Sequence, residues 1–265
     1  IVEPGHAYLT LGTSVVCGTH SATYVVDRAF RTMFSAVPAA FSLETVILGG
    51  AYTVSWFAEQ LGDAPADPTQ ITTRYEAAIR EIPPGAEGLV LVPYWNSAMN
   101  PYWDPLASGI VVGWRGIHTR AHLYRAILEG IAFEQRLHTE GVEQALGSPV
   151  QDYVAMGGGA RSTAWCQILA DVTGKPVRRT LTAEAAALGA GMQAAAGIGL
   201  FVDMHAAAAA MARLGTETLL PDPTRHEIYT PLYNEVYRQL YPVLRPQLDR
   251  LATLTEGKGQ TALAK

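Results

Sequence analysis

The stretch MGGGARSTAWCQILADVTGKPVRR occupies Met156 to Arg179. Three glycines stand between the apolar run DYVAM and a segment of helical spacing that a Gly-Lys-Pro sequence ends. Glycine lacks packing and costs conformational entropy, so a cluster marks backbone that something must approach closely. The pattern predicts a strand into the glycines, a helix over Thr163 to Val172 ended by Gly174 and Pro176, and a second strand at PVRRT. A glycine turn between strand and helix is where phosphates and nucleotides bind. The fingerprint of dinucleotide folds, G-x-G-x-x-G, is nearly met by Gly157, Gly159 and Ser162. That fold places an acidic residue at the end of the next strand, where this chain has Arg178 and Arg179. A Gly-Lys-Ser/Thr phosphate loop is absent.

Outward from this stretch the chain reads as one α/β unit. It has 265 residues, 49% of them hydrophobic, with a formal net charge of −5. That is ample for a sizeable core and unlike the basic stripe of a nucleic-acid binder. Two cysteines, Cys17 and Cys166, fit a reducing cytosol rather than a disulfide framework. The longest weakly apolar run, Ala185 to Val202, is mostly Ala and Gly and carries Gln193, so no membrane span is expected. A start at Ile1 with a Glu-Pro-Gly turn reads like the middle of a longer protein.

AYLTLGTSVVCGT, residues 7–19, predicts two strands joined by a tight turn. LETVILGG is a further strand running into a helix with Val54, Phe57, Ala58 and Leu61 on one face. GDAPADPTQ reads as a loop, TQITTRYEAAIREI as a short helix stopped by Pro83-Pro84-Gly85, and GLVLVPYW as a strand. The longest helix is expected from Thr119 to Leu146, its stripe formed by Tyr124, Ile127, Leu128, Ile131 and Ala132. Arg125 and Glu129 make an i, i+4 ion pair of no further consequence in this reading. Further helices are expected over Thr182 to Ala196, capped by Thr182 with Glu184 in its first turn, over Met204 to Leu214 and over Glu227 to Leu251. The tail 255–265 reads as frayed.

Five motifs in order and spacing resemble the C-terminal half of the FGGY carbohydrate kinases. They are Leu11-Gly12-Thr13-Ser14, Gly49-Gly50-Ala51 with Trp56-Phe57, the helix signature, GGGARSTAWCQ over 157–167, and EAAALGA over 184–190. The helix signature comprises Gly109, Val111, Gly113, His122, Leu123, Ala126, Ile127, Leu128 and Glu129, with Trp114 departing where a small aliphatic is usual. The resemblance spans about residues 2 to 205. It implies an actin-like ATPase (RNase H-like) domain, a mixed sheet flanked by helices, over residues 1–254. It also implies an ATP- and Mg²⁺-dependent kinase acting on a small sugar or polyol, with a ketopentose such as xylulose favoured, in the cytoplasm. The catalytic aspartate and the first phosphate loop belong to an N-terminal kinase domain that this chain lacks, so no catalytic residue is assigned here.

The same resemblance assigns roles within the chain. Gly12 and Thr13 present backbone N–H groups and a hydroxyl to phosphate. Gly158, Gly159 and Ala160 let adenosine lie flat on the backbone, with Ser162 or Thr163 at the base edge. Gly50, Ala51 and Ser55 line the other side. Glu184 caps its helix, and the small residues from Ala185 to Gly197 let helices pack closely behind the nucleotide. His118, His122 and His138 lack carboxylates at ligand spacing, so no metal site is assigned to them. Gly-Glu-Arg-x-Pro of many relatives is replaced by Asn96 to Asn100, which leaves the sugar open. The cluster of Trp95, Tyr102 and Trp103 is open between core, substrate wall and a contact in a homodimer. A nucleotide-sensing or scaffold domain of the same fold is the alternative function.

Overall fold

In a computed structural model the described residues are 1–62, 75–182 and 184–262. Their centre is a seven-stranded sheet of order β3-β4-β2-β1-β7-β8-β9. The strands are β1 His6–Leu11, β2 Val15–Ser21, β3 Arg31–Phe34, β4 Phe41–Ile47, β7 Asp152–Met156, β8 Val177–Thr180 and β9 Leu214–Leu219. β1 pairs antiparallel with β2 and parallel with β7, and β7 pairs parallel with β8. Two short strands, β5 Val90–Val92 and β6 Ile110–Val112, form a separate antiparallel pair.

Period-two alternation divides the sheet into two faces. Ala7, Leu9 and Leu11 of β1, with Val15, Cys17, Tyr153, Ala155 and Val177, join the main core. Against them pack the helix Arg120–Leu146, with its whole predicted stripe buried, and the helix Thr163–Thr173. Gly147 and Gly174 end these helices in the left-handed conformation. On the other face the helices Ala185–Gly197 and Met204–Met211 share a small core of Met192, Met204 and Ala207.

The C-terminal helices are tied to the long helix and to the loop that carries Asp104 by a ladder of tyrosines. Tyr229, Tyr233, Tyr237 and Tyr241 recur every fourth residue, and all are buried. Their hydroxyls donate to Glu129 (2.7 Å), Glu140 (2.7 Å), Glu134 and Asp104 (2.6 Å), respectively. The helix Pro223–Pro231 passes through a widened turn at Leu232–Tyr237 into Arg238–Ala262. Arg125 and Glu129 are therefore more than a surface pair. Both are buried, and Glu129 also accepts from Gly85 N–H at 3.1 Å, while Arg125 donates to the Ile79 carbonyl at 2.7 Å. The pair thus joins the long helix to the 79–85 segment and to Tyr229.

Several sequence expectations are corrected. β3 was not anticipated, since its four residues are mostly exposed and pair on one side only. β9 replaces the end of the helix expected to reach Leu214; that helix stops at Met211. Thr182 does not cap the following helix, which starts at Ala185 with Glu184 at the cap position and no capping side-chain bond. Of the glycines in that helix, a β-carbon at Gly189 or Gly197 meets no described atom within 4 Å, while one at Gly191 would stand 4.0 Å from Met211 Cε of the neighbouring helix. Carboxylates do lie beside two of the histidines, Glu87 at 3.1 Å from His122 and Glu134 at 3.2 Å from His138. Among the described residues no group of three or more His, Cys, Asp or Glu gathers that could hold a metal. The loop expected at GDAPADPTQ lies, from residue 63 on, outside the described residues, and of the helix expected after it residues 75–80 are helical. The residues expected as a frayed tail continue the last helix to Ala262, with 263–265 outside the described residues. No helix among the described residues is long and apolar enough to cross a membrane.

Asp104 gives the fold a defined acid limb. Burial alone would raise its pKa, but the Tyr241 hydroxyl, the Leu106 N–H and the Arg245 guanidinium outweigh it and hold the carboxyl below its usual value. A depressed carboxyl adds stability that is complete above the unfolded pKa of about 4 and is lost as pH falls through the folded value. Urea midpoints measured from pH 7 to pH 2 are expected to fall through that window. Asp104→Asn is expected to lower the midpoint at pH 7 and flatten the acid limb. An unchanged limb in Asp104→Asn would show that the carboxyl is not held this way.

Candidate nucleotide site

Register brings the predicted motifs to one edge of the sheet. Thr10 pairs with Met156, so the turn after β1 and the glycines after β7 leave the sheet side by side. Gly157 has φ +86°, and a β-carbon there would stand 3.0 Å from the Leu11 carbonyl oxygen. An L side chain is thus disfavoured by conformation and by space. The backbone then makes a short 3₁₀ turn, Gly158–Arg161, into the helix Thr163–Thr173.

The two glycines assigned to the adenosine differ. A β-carbon at Gly158 meets nothing among the described atoms within 4 Å, and the residue is exposed. At Gly159 it would lie 2.4 Å from the Trp165 ring and 2.9 Å from Leu11 Cβ. Gly159 is therefore bare because the core needs the room. Ala160 is buried beside it. The Ser162 hydroxyl caps the helix by accepting from Trp165 N–H at 3.1 Å and is buried. Thr163 is exposed, and its Oγ1 accepts from Arg179 Nη1 at 3.2 Å. Of the residues assigned to the base edge, Thr163 is thus the one that faces out.

The turn after β1 is anchored to the helix Gly50–Gln60. The carbonyls of Gly12 and Thr13 accept from the N–H groups of Ala51 and Tyr52, each at 3.0 Å. A β-carbon at Gly50 would stand 2.5 Å from Val15 N, so this glycine admits the hairpin to the start of the helix. Gly12 N–H donates inside the turn to the Ser14 carbonyl at 3.2 Å. Thr13 is exposed, while Ala51 and Ser55 are half-buried on the first two turns of the helix. One cavity borders the start of the helix that follows the glycine turn, and another borders the turn itself. The first, of about 520 Å³, lies between Thr163, Ala164, Gln167 and Ile168 and the segment 79–84. The second, of about 410 Å³, is lined by Gly157, Ala160, Arg161, Arg179 and Glu217. Gly12, Thr13, Gly50, Ala51 and Ser55 line neither.

The thiols take no part in this chemistry. Cys17 and Cys166 are free and buried, and burial pushes both up to about 12, which leaves them protonated at neutral pH.

Comparison with known proteins gives the family and the fold. The family model described as "FGGY family of carbohydrate kinases, C-terminal domain" matches residues 7–198. A glycerol kinase of Citrifermentans bemidjiense is 34% identical over 211 residues, covering 78% of this chain and 41% of the relative. A xylulose kinase of Bacillus subtilis is 28% identical and covers 91% of this chain and 47% of the relative. The crystal structure of a xylulose kinase from Rhodospirillum rubrum superposes with a TM-score of 0.83 at 31% identity, covering 94% of this chain and 49% of that one. The chain thus spans about half the length of these relatives, and its fold is the actin-like ATPase fold of the family.

The two glycines make separate predictions. Gly159→Val is expected to destabilise the fold by about 1–3 kcal/mol through overpacking. Gly158→Val is expected to fold with the parent's melting temperature and to lose adenosine binding. Thermal unfolding and calorimetric titration of the longer protein check both, and a folded Gly158→Val that binds adenosine as the parent does would contradict the assignment.

Proposed function

The chain belongs to the FGGY family of carbohydrate kinases as its C-terminal domain, and from that premise we propose that it is the ATP-binding half of a cytoplasmic kinase. The kinase transfers phosphate to a hydroxyl of a small sugar or polyol. The observation that carries this reading is the convergence of two turns on Leu11, with Gly158 open and Thr13 exposed beside each other at the ends of paired strands. A ketopentose such as xylulose is the favoured acceptor. Xylulose kinases recur among the relatives and solved structures that resemble it, although glycerol kinases do so too.

The space over Gly158 suits a flat base and ribose laid on backbone. ATP supplies the γ-phosphoryl group when bound. The Thr13 hydroxyl holds a phosphate oxygen, and the anchoring of its turn by Ala51 and Tyr52 N–H fixes where that hydroxyl sits. Prior placement of this kind is how kinases stabilise phosphoryl transfer, which asks little covalent chemistry of the protein. Mg²⁺, when bound with the nucleotide, would neutralise phosphate charge during transfer, and this reading assigns it no ligand among the described residues. The base that takes the sugar's proton is assigned to the missing N-terminal half.

Two outcomes follow. This chain alone, given Mg-ATP and a panel of pentuloses and polyols, is expected to form no sugar phosphate; robust turnover would overturn the division of labour. In the longer protein, Thr13→Val is expected to weaken ATP about tenfold to a hundredfold and leave adenosine nearly unchanged, the loss of one hydrogen bond to a charged oxygen. Equal losses for ATP and adenosine would remove Thr13 from the phosphate end.

A further inference from the structure

One wall of the cavity of about 520 Å³ beside Thr163 is the segment 79–84. From residue 81 to residue 85 this segment has neither helix nor strand, so its backbone is held by groups from elsewhere in the fold. Both of its ends are held by one buried ion pair. Arg125 Nη1 donates to the Ile79 carbonyl at 2.7 Å, and Gly85 N–H donates to Glu129 Oε1 at 3.1 Å. Gly85 has φ +86°, and a β-carbon there would stand 2.6 Å from Leu232 Cδ1, so the C-terminal segment also packs directly on this turn. A third group locks the pair. Arg125 Nε donates to Glu129 Oε1 at 2.6 Å, while the Tyr229 hydroxyl donates to the same oxygen at 2.7 Å and accepts from Arg125 Nη2 at 2.9 Å. One oxygen of Glu129 thus takes three donors, and all three guanidinium nitrogens of Arg125 are engaged. Tyr229 is fully buried, and Arg225, one turn earlier on the same helix Pro223–Pro231, lines the cavity. This helix lies beyond residue 198, where the family match ends.

We propose that Tyr229 is a positioning residue for the nucleotide: from the C-terminal helices it sets the Arg125–Glu129 pair, and through the two backbone groups that this pair holds it fixes the wall that faces Thr163 across the cavity. The inference rests on the reading of the glycine turn as the nucleotide site. Its physical content is preorganisation. A ligand that needs an ordered wall binds in proportion to the fraction of molecules in which that wall is ordered. Tyr229 touches no ligand in this scheme. Removal of its hydroxyl leaves a buried carboxylate and a buried guanidinium each short of a partner, and the wall loses its fixed register. Tyr237 supplies the contrast within the same ladder. Its hydroxyl donates to Glu134, an equally buried carboxylate that also holds Tyr94 and His138 rather than the wall.

The test uses the longer protein that contains this chain, with ADP as the probe. Tyr229→Phe keeps the ring and is expected to weaken ADP about tenfold, the loss of one hydrogen bond to a charged group. It is also expected to speed amide exchange at Gly85. Tyr237→Phe is expected to lower the urea midpoint by a similar amount and to leave ADP affinity and Gly85 exchange as in the parent. A purely structural ladder would move ADP affinity equally in both variants or in neither, and either result overturns the proposal. A measurement on the parent needs no variant to fold: bound ADP is expected to slow exchange at Gly85 N–H, since a ligand that binds the ordered wall favours it. Exchange that ADP leaves unchanged overturns the proposal as well. Gly158→Val separates these failures from that of the site itself. If it blocks ADP while Tyr229→Phe binds as the parent does, only the role of Tyr229 falls; if it binds ADP as the parent does, the nucleotide reading falls too.

Discussion

The close approach of the 157–159 backbone to Leu11 is the constraint on which the site depends. The two β-carbon positions at Gly157 and Gly159 both fall on Leu11 atoms, at 3.0 and 2.9 Å. Leu11 is fully buried and ends β1. Its next residue opens the turn that Ala51 and Tyr52 N–H hold in place. A larger residue at Gly157 or Gly159 would separate β7 from β1 at the edge where the two turns must meet. Parallel pairing of β1 with β7 spans most of the sequence, so these contacts are non-local and need the long helix beneath them to be packed.

That packing relies on buried charge to an unusual degree. The long helix carries Glu129 and Glu134 almost wholly buried, with Glu140 at its margin, and each accepts a tyrosine hydroxyl from the C-terminal helices. A buried carboxylate left without such a donor costs about 1–3 kcal/mol or more. The tyrosines thus do two jobs: their rings fill the core, and their hydroxyls keep the carboxylates satisfied. Because the same Glu129 also holds Gly85 and Arg125, the segment that walls the cavity beside Thr163 is registered to the long helix by this network.

Much of this was legible in the sequence. The glycine turn, the helix Thr163–Thr173 with its Gly174 end, the long helix and its stripe all follow from local periodicity and stop signals. What was missed depends on distant partners. β9 could not be told from a helix, because the Ala-rich run before it continues helical spacing and its pairing with β8 is set by register. The tyrosine spacing announces a helix, but nothing local says that the partners of Tyr229 and Tyr237 lie about a hundred residues earlier. Gly159 looked identical to Gly158 in the sequence. Only the position of Trp165 and Leu11 separates the glycine that the core needs from the one that faces open space.

The most direct measurement is a crystal structure of the longer protein with ADP bound. The account predicts the ribose and base against the backbone at Gly158, the base edge toward Thr163, and the phosphates running toward Thr13. A nucleotide seated elsewhere, such as in the cavity of about 390 Å³ between Tyr8, Val154 and Leu188 on the opposite face of the sheet, would contradict it.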